Sequence, residues 1–201
     1  MIALTSHYLW FTTRAAGIVT LGLFTIVMVM GILTTTRVGT EAVPRFAVAE
    51  IHKRISLLAC VFLAIHIVTS VIDSYVNISV LAVFLPFTSA YKTAWVALGT
   101  ISLDLMLAVV ITSLLRKRLS YSAWRTVHWL AYLSWPIAVL HTVFIGTDMR
   151  SEVMDAYVAL NVFVVAAALV WRVKGHPRPR GSKTAVPART APTKELRSKH
   201  R

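Results

Sequence analysis

Glu50–Val68 reads EIHKRISLLACVFLAIHIV, a nearly unbroken apolar run that carries two histidines, His52 and His66, fourteen residues apart. A second run, Val127–Val143, VHWLAYLSWPIAVLHTV, repeats the pattern with His128 and His141, thirteen apart. Both runs approach the roughly 20 apolar residues that cross a bilayer as a helix. An ionisable side chain inside a membrane is costly and marks a functional position by default. What two pairs of imidazoles do there decides how the rest of the chain is read.

The remaining sequence supplies the membrane context. Of the 201 residues 57% are hydrophobic and only 14% charged, with mean hydropathy +0.69, which excludes an ordinary soluble domain. Five runs have spanning length: Leu9 to Leu33, Ile51 to Ile72, Thr93 to Leu115, Ala123 to Ile145 and Val153 to Val173. None alternates as a barrel strand would, so the expected fold is all-α, a polytopic bundle of five transmembrane helices. The first run has no basic segment before it and is too long for a signal-peptide core, so it is read as retained.

Basic residues set the orientation, because cytoplasmic loops hold the excess of Lys and Arg. Arg37, Arg45, Lys53 and Arg54 cluster between the first two spans, Arg116–Arg118 and Arg125 between the third and fourth, and ten basic residues follow Trp171. These three regions are expected in the cytoplasm, with the N-terminus outside and the C-terminus inside. A bacterial cytoplasmic membrane is the expected location. Residues 1–173 form the membrane domain; 174–201, KGHPRPRGSKTAVPARTAPTKELRSKHR, reads as a disordered basic tail that supplies most of the net +13. Anionic lipid headgroups are its expected partner. Nucleic acid is not, since no aromatic residues interleave the charge. Cys60, the one cysteine, allows no intrachain disulfide and reads as a small buried residue.

The spacing of the histidines limits their chemistry. At 1.5 Å per residue the members of each pair lie about 20 Å apart, too far to share a metal ion. A zinc-protease pair, by contrast, sits at i and i+4. The second and fourth spans both run outward, so His52 and His128 share an inner level and His66 and His141 an outer one. Each level then has two imidazoles on two helices, as bis-histidine haem ligation between the second and fourth helices requires. The angular fit is uneven: about 100° per residue leaves His66 about 40° from His52 but His141 about 140° from His128, with Pro136 between the latter two.

The phrases HKRISLLACVFLAIH, LDLMLAVVITSLLR and WRTVHWLAYLSWPIAVLH, with H-x13-H on one span and H-x12-H two spans later, resemble the ferric reductase and NADPH oxidase transmembrane superfamily, in particular its actinobacterial ferric reductase-like members. The resemblance covers about Leu9 to Val173. It implies that His52, His66, His128 and His141 are haem-iron ligands, and that the cofactor is two haems b. NADPH oxidases have a sixth span before these five and a flavin and nicotinamide domain after them. No such domain and no GxGxxG fingerprint follow here, so no flavin or NAD(P) site is expected in this chain.

Other residues are read as supports for the haems. Arg54 and Arg125 lie within one turn of the inner histidines and Arg14 near the exterior end of the first span, as candidate propionate partners. Asp104 lies near the depth of His66, a candidate to accept an Nδ1 hydrogen, to pair with Arg14 or to stand as a protonated acid. Trp135 falls between the two levels, where an aromatic ring packs between macrocycles or lies along an electron path. Tyr75–Tyr91, YVNISVLAVFLPFTSAY, is too apolar for a solvated loop and reads as a lid over the outer level.

The leading expectation is a di-haem b-type cytochrome, the transmembrane component of an oxidoreductase. Its donor is a separate cytoplasmic flavoprotein or membrane quinol. Its acceptor is an exterior flavoprotein, a ferric chelate or oxygen. Two alternatives remain open: a non-catalytic haem-bearing anchor subunit, separated by turnover with added donor and acceptor, and a histidine-relay transporter, separated by the lack of a Soret band.

Overall fold

The computed structural model describes residues 2–35, 45–74, 76, 78–146 and 151–174. The expectations for the loop carrying Arg37 and for the basic tail beyond residue 174 lie outside them. Among the described residues every regular element is helical. The order is α1 (Ile2–Thr35), α2 (Arg45–Ile72), α3 (Val80–Phe84), α4 (Thr93–Leu114), a 3-10 turn (Arg116–Arg118), α5 (Tyr121–His128), α6 (Ala131–Ile145) and α7 (Glu152–Lys174). Five segments are long and apolar enough to cross a membrane: Tyr8–Thr35, Phe46–Ile72, Thr93–Leu114, Tyr121–Ile145 and Glu152–Lys174.

α2 packs along α1 and α6 along α4, while α1 also meets α6 and α7. The core lies where these helices converge: Leu21, Phe24, Met28 and Ile32 of α1, Ala59 of α2, Trp135 and Val139 of α6, and Val158 and Val165 of α7. Polar clasps add direction inside this apolar setting. Ser102 Oγ donates to the carbonyl of Ser134 and Ser134 Oγ to that of Ser102, each at 3.0 Å, locking α4 to α6. Interhelical bonds of this kind are worth roughly 0.6–2 kcal/mol in a membrane. Tyr157 Oη donates to the carbonyl of Ile18 at 2.7 Å and binds α7 to α1.

The fourth span is two helices. Between α5 and α6 the bonds from Leu130 N to Val127 O, Tyr132 N to Trp129 O and Leu133 N to Leu130 O run i to i−3, and Trp129 N is shared between Arg125 O and Thr126 O, each at 3.2 Å. The tight turn sits just before Pro136, whose missing N–H and ring disfavour a regular helix toward residue 132. A 3-10 residue advances about 120° where an α residue advances about 100°. Over roughly three to four residues the extra winding is about 60–80°, which cuts the 140° offset of the two histidines to about 60–80°, closer to the 40° on α2. The larger 3-10 rise also lengthens the thirteen-residue separation to roughly 21 Å, matching roughly 21 Å for fourteen α-helical residues. The turn therefore brings a mismatched spacing closer to register with α2.

At one end of the bundle α3 packs on α4. Ser79 caps it, with Ala82 N donating to Ser79 Oγ, and Thr100 Oγ1 of α4 holds it by donating to the buried carbonyl of Ala82 at 2.7 Å.

Candidate functional site: two imidazole pairs

The four histidines meet in two pairs. His52 faces His128 and His66 faces His141, each with ring centroids 6.4 Å apart and ring planes crossed at 65° and 81°. The pairing by level expected from the sequence is the pairing of rings in the structure. His66 and His141 lie at the end covered by α3, His52 and His128 at the end bearing Arg116–Arg118.

Three of the rings are fixed in the same way. His66 Nδ1 bonds the carbonyl of Thr13 at 2.8 Å, His52 Nδ1 that of Val27 at 3.1 Å and His141 Nδ1 that of Trp95 at 2.7 Å. Donation from Nδ1 to a carbonyl selects the tautomer that leaves Nε2 free as a ligand. Each carbonyl lies four residues before a glycine: Gly17, Gly31 and Gly99. A helical side chain covers the turn N-terminal to its own Cα, so a glycine uncovers the carbonyl at i−4 to approach from the side. The rings fill the uncovered space: a Cβ would stand 3.0 Å from His66 Nδ1 at Gly17, 3.5 Å from His52 Cε1 at Gly31 and 2.7 Å from His141 Cε1 at Gly99. Gly17 and Gly31 repeat the fourteen-residue spacing of His66 and His52 on an antiparallel helix. That coincidence is visible in the sequence, and sequence reasoning missed it.

His128 is different. Among the described residues its Nδ1 is buried without a hydrogen-bond partner. Its ring stacks on Trp124, 5.0 Å between centroids at 27°, and the Arg116 guanidinium lies 4.4 Å from the Trp124 ring centre.

The other expected residues divide. Arg14 lines a large cavity together with His66, His141, Trp10, Tyr91 and Met154, and its guanidinium lies 4.3 Å over Trp10. Ile78, Ala82 and Val83 line the same cavity, so the lid segment covers this pair. Trp135 is buried between the two levels, its Nε1 donating to Thr25 Oγ1 at 3.1 Å. Arg54 is exposed and pairs with Glu50 at 2.9 Å, one turn away on the same helix. Arg125 is exposed as well; the cation stacked against the His128 side is Arg116. Asp104 corrects the expectation made for it: it lies on the exposed face of α4, and the carbonyls of Thr13 and Trp95 take the Nδ1 hydrogens for which it was a candidate. The angular position of one residue on α4 depends on packing that hydropathy does not encode.

The model of the ferric reductase like transmembrane component family matches residues 16–139. The chain belongs to that family. The match includes His52, His66 and His128, the clasped Ser102 and Ser134, and all three ring-facing glycines, and it stops two residues before His141. No curated protein and no solved structure matches the chain. Membership makes it an integral membrane protein of the ferric reductase-like class, in agreement with five apolar helices.

Proposed function

We propose that this ferric reductase-like chain is a di-haem b-type cytochrome that carries electrons one at a time across the bacterial cytoplasmic membrane. The observation that carries the reading is the pair of imidazole pairs, each with centroids 6.4 Å apart. Metal–imidazole bonds are roughly 2.0–2.1 Å, and with about 1.1 Å from nitrogen to ring centre on both sides, two of them sum to roughly 6.3 Å. The spacing thus suits one metal ion that His52 and His128, or His66 and His141, would hold between them. Among the described residues no group of three or more His, Cys, Asp or Glu comes together, so each site has two imidazoles to offer, the number that a bis-histidine haem takes. With Cys60 as the sole cysteine the chain has no CxxCH motif for the two thioether links of a c-type haem, so the haems would be held non-covalently, as b-type haems are.

His52 and His128 would hold the inner haem and His66 and His141 the outer, with the N-terminus outside and the basic 116–118 turn in the cytoplasm. Haem supplies a reversible one-electron ferric/ferrous couple. The protein's part is to fix the ligand rings through the carbonyls of Thr13, Val27 and Trp95, and to exclude water with the Phe24, Ala59 and Trp135 layer between the levels. At the outer site Arg14, which lines the cavity with His66 and His141, would meet a propionate. A separate cytoplasmic flavoprotein or quinol is the proposed donor, and a ferric chelate, an exterior flavoprotein or oxygen the acceptor.

Pyridine haemochrome assay of protein purified from haem-replete cells tests the reading. Two haems b per chain, with a low-spin Soret band that shifts on reduction, are expected; an absence of haem overturns it.

A further inference from the structure

The arrangement that fixes three of the imidazoles is replaced at the fourth by another device. On α4, Gly99 faces His141. Fourteen residues on, where antiparallel packing would bring a second glycine toward His128, stands Ser113. The carbonyl four residues before it, that of Val109, has the Thr112 hydroxyl beside it: Thr112 Oγ1 donates to Ala108 O at 2.7 Å and lies 3.2 Å from Val109 O. His128 Nδ1 accordingly has no partner among the described residues. Ser113 Oγ instead accepts from Trp124 Nε1 at 3.4 Å, and the indole lies flat against His128, 5.0 Å away. The Arg116 guanidinium lies over the same indole, 4.4 Å from its ring centre, so the ring that stacks on His128 is held by both a cation and the Ser113 hydroxyl. Trp124 and His128 are i and i+4 on α5, neighbours on one helical face, and Ser120 caps that helix through Ala123 N.

We propose that Trp124, held by Arg116 and Ser113, is the positioning residue for His128 and replaces the carbonyl that orients the other three ligand rings. A cation over an indole and a hydrogen bond at its Nε1 pin it, and the stacked ring then limits rotation of the imidazole about its Cβ–Cγ bond. The function is specific to one haem site, and it rests on the bis-histidine reading above.

The low-spin ferric EPR signal of a bis-imidazole haem reports the mutual orientation of its two ring planes. The protein with both haems loaded is compared with Trp124→Leu, which keeps an apolar side chain but removes the flat face, and with Trp124→Phe, which keeps a face. The signal of the inner haem is identified as the one absent from His128→Ala. In Trp124→Leu this signal is expected to shift and broaden, with haem content at two per chain and the other signal unmoved; Trp124→Phe is expected to restore it. An unchanged inner signal in Trp124→Leu overturns the proposal. So does an equal change at both haems or the loss of both, which would show a general structural role, and so does an equal shift in the Leu and Phe variants. A parent protein without haem overturns the functional reading and this proposal together.

Discussion

At Gly99 an added methyl group would stand 2.7 Å from His141 Cε1, closer than a Cβ can approach without displacing the ring. Gly17 is the intermediate case, 3.0 Å from His66 Nδ1, and Gly31 the mildest, 3.5 Å from His52 Cε1. Overpacking of this kind costs roughly 1–3 kcal/mol. Alanine substitutions should therefore weaken haem retention in the order Gly99 > Gly17 > Gly31, with Gly99→Ala losing the outer haem selectively; haem-to-protein ratios of the three variants check the order. Arg14→Ala should remove a cation that favours the ionised propionate and the reduced iron. The outer midpoint is expected to fall by roughly 60 mV, a tenfold change in a one-electron constant, while the inner one holds in the same redox titration. The histidines were legible as candidate ligands because ionisable residues stand out in apolar runs. Their Nδ1 acceptors were not, since a backbone carbonyl has no side-chain signature and only the glycines at i+4 mark it.

The fourth span shows how an element repairs a spacing. Counted as a regular helix, His128 and His141 point to different neighbours; with the tight turn from Trp129 to Leu133 they share a face. Inserting one alanine after Leu130 should rotate His141 by roughly 100° relative to His128 and abolish the outer haem, while His52 and His128, both before the insertion, keep the inner one. Absorption spectra showing one haem per chain would bear this out, and two would show that the turn is not what sets the register. The five spans were legible from hydropathy to within a few residues. The overwound turn was not, because Pro136 announces a disturbance but not whether the helix kinks, unwinds or tightens. The lid segment was legible for the same reason as the spans: an apolar stretch with a proline is too short to cross and must find cover, and α3 finds it over the His66 and His141 cavity.

Across the whole molecule, helix direction, the match in rise between α2 and the α5–α6 span, and the placement of glycines on α1 and α4 agree on two stacked sites that share helices but no ligand. Loss of one site should then leave the other folded, because the clasps of Ser102 with Ser134 and of Tyr157 with Ile18 hold the bundle independently of the histidines. Transmembrane transfer should fail in either case, since the remaining haem stands about 20 Å from the level of the missing one. A redox titration with haem quantification of His52→Ala, His66→Ala, His128→Ala and His141→Ala, each purified separately, addresses this most directly. His52→Ala and His128→Ala are expected to lose the same haem and His66→Ala and His141→Ala the other, each variant retaining one redox-active centre. If His52→Ala and His141→Ala lost the same centre, or if every variant kept both, the pairing of ligands by level would be wrong.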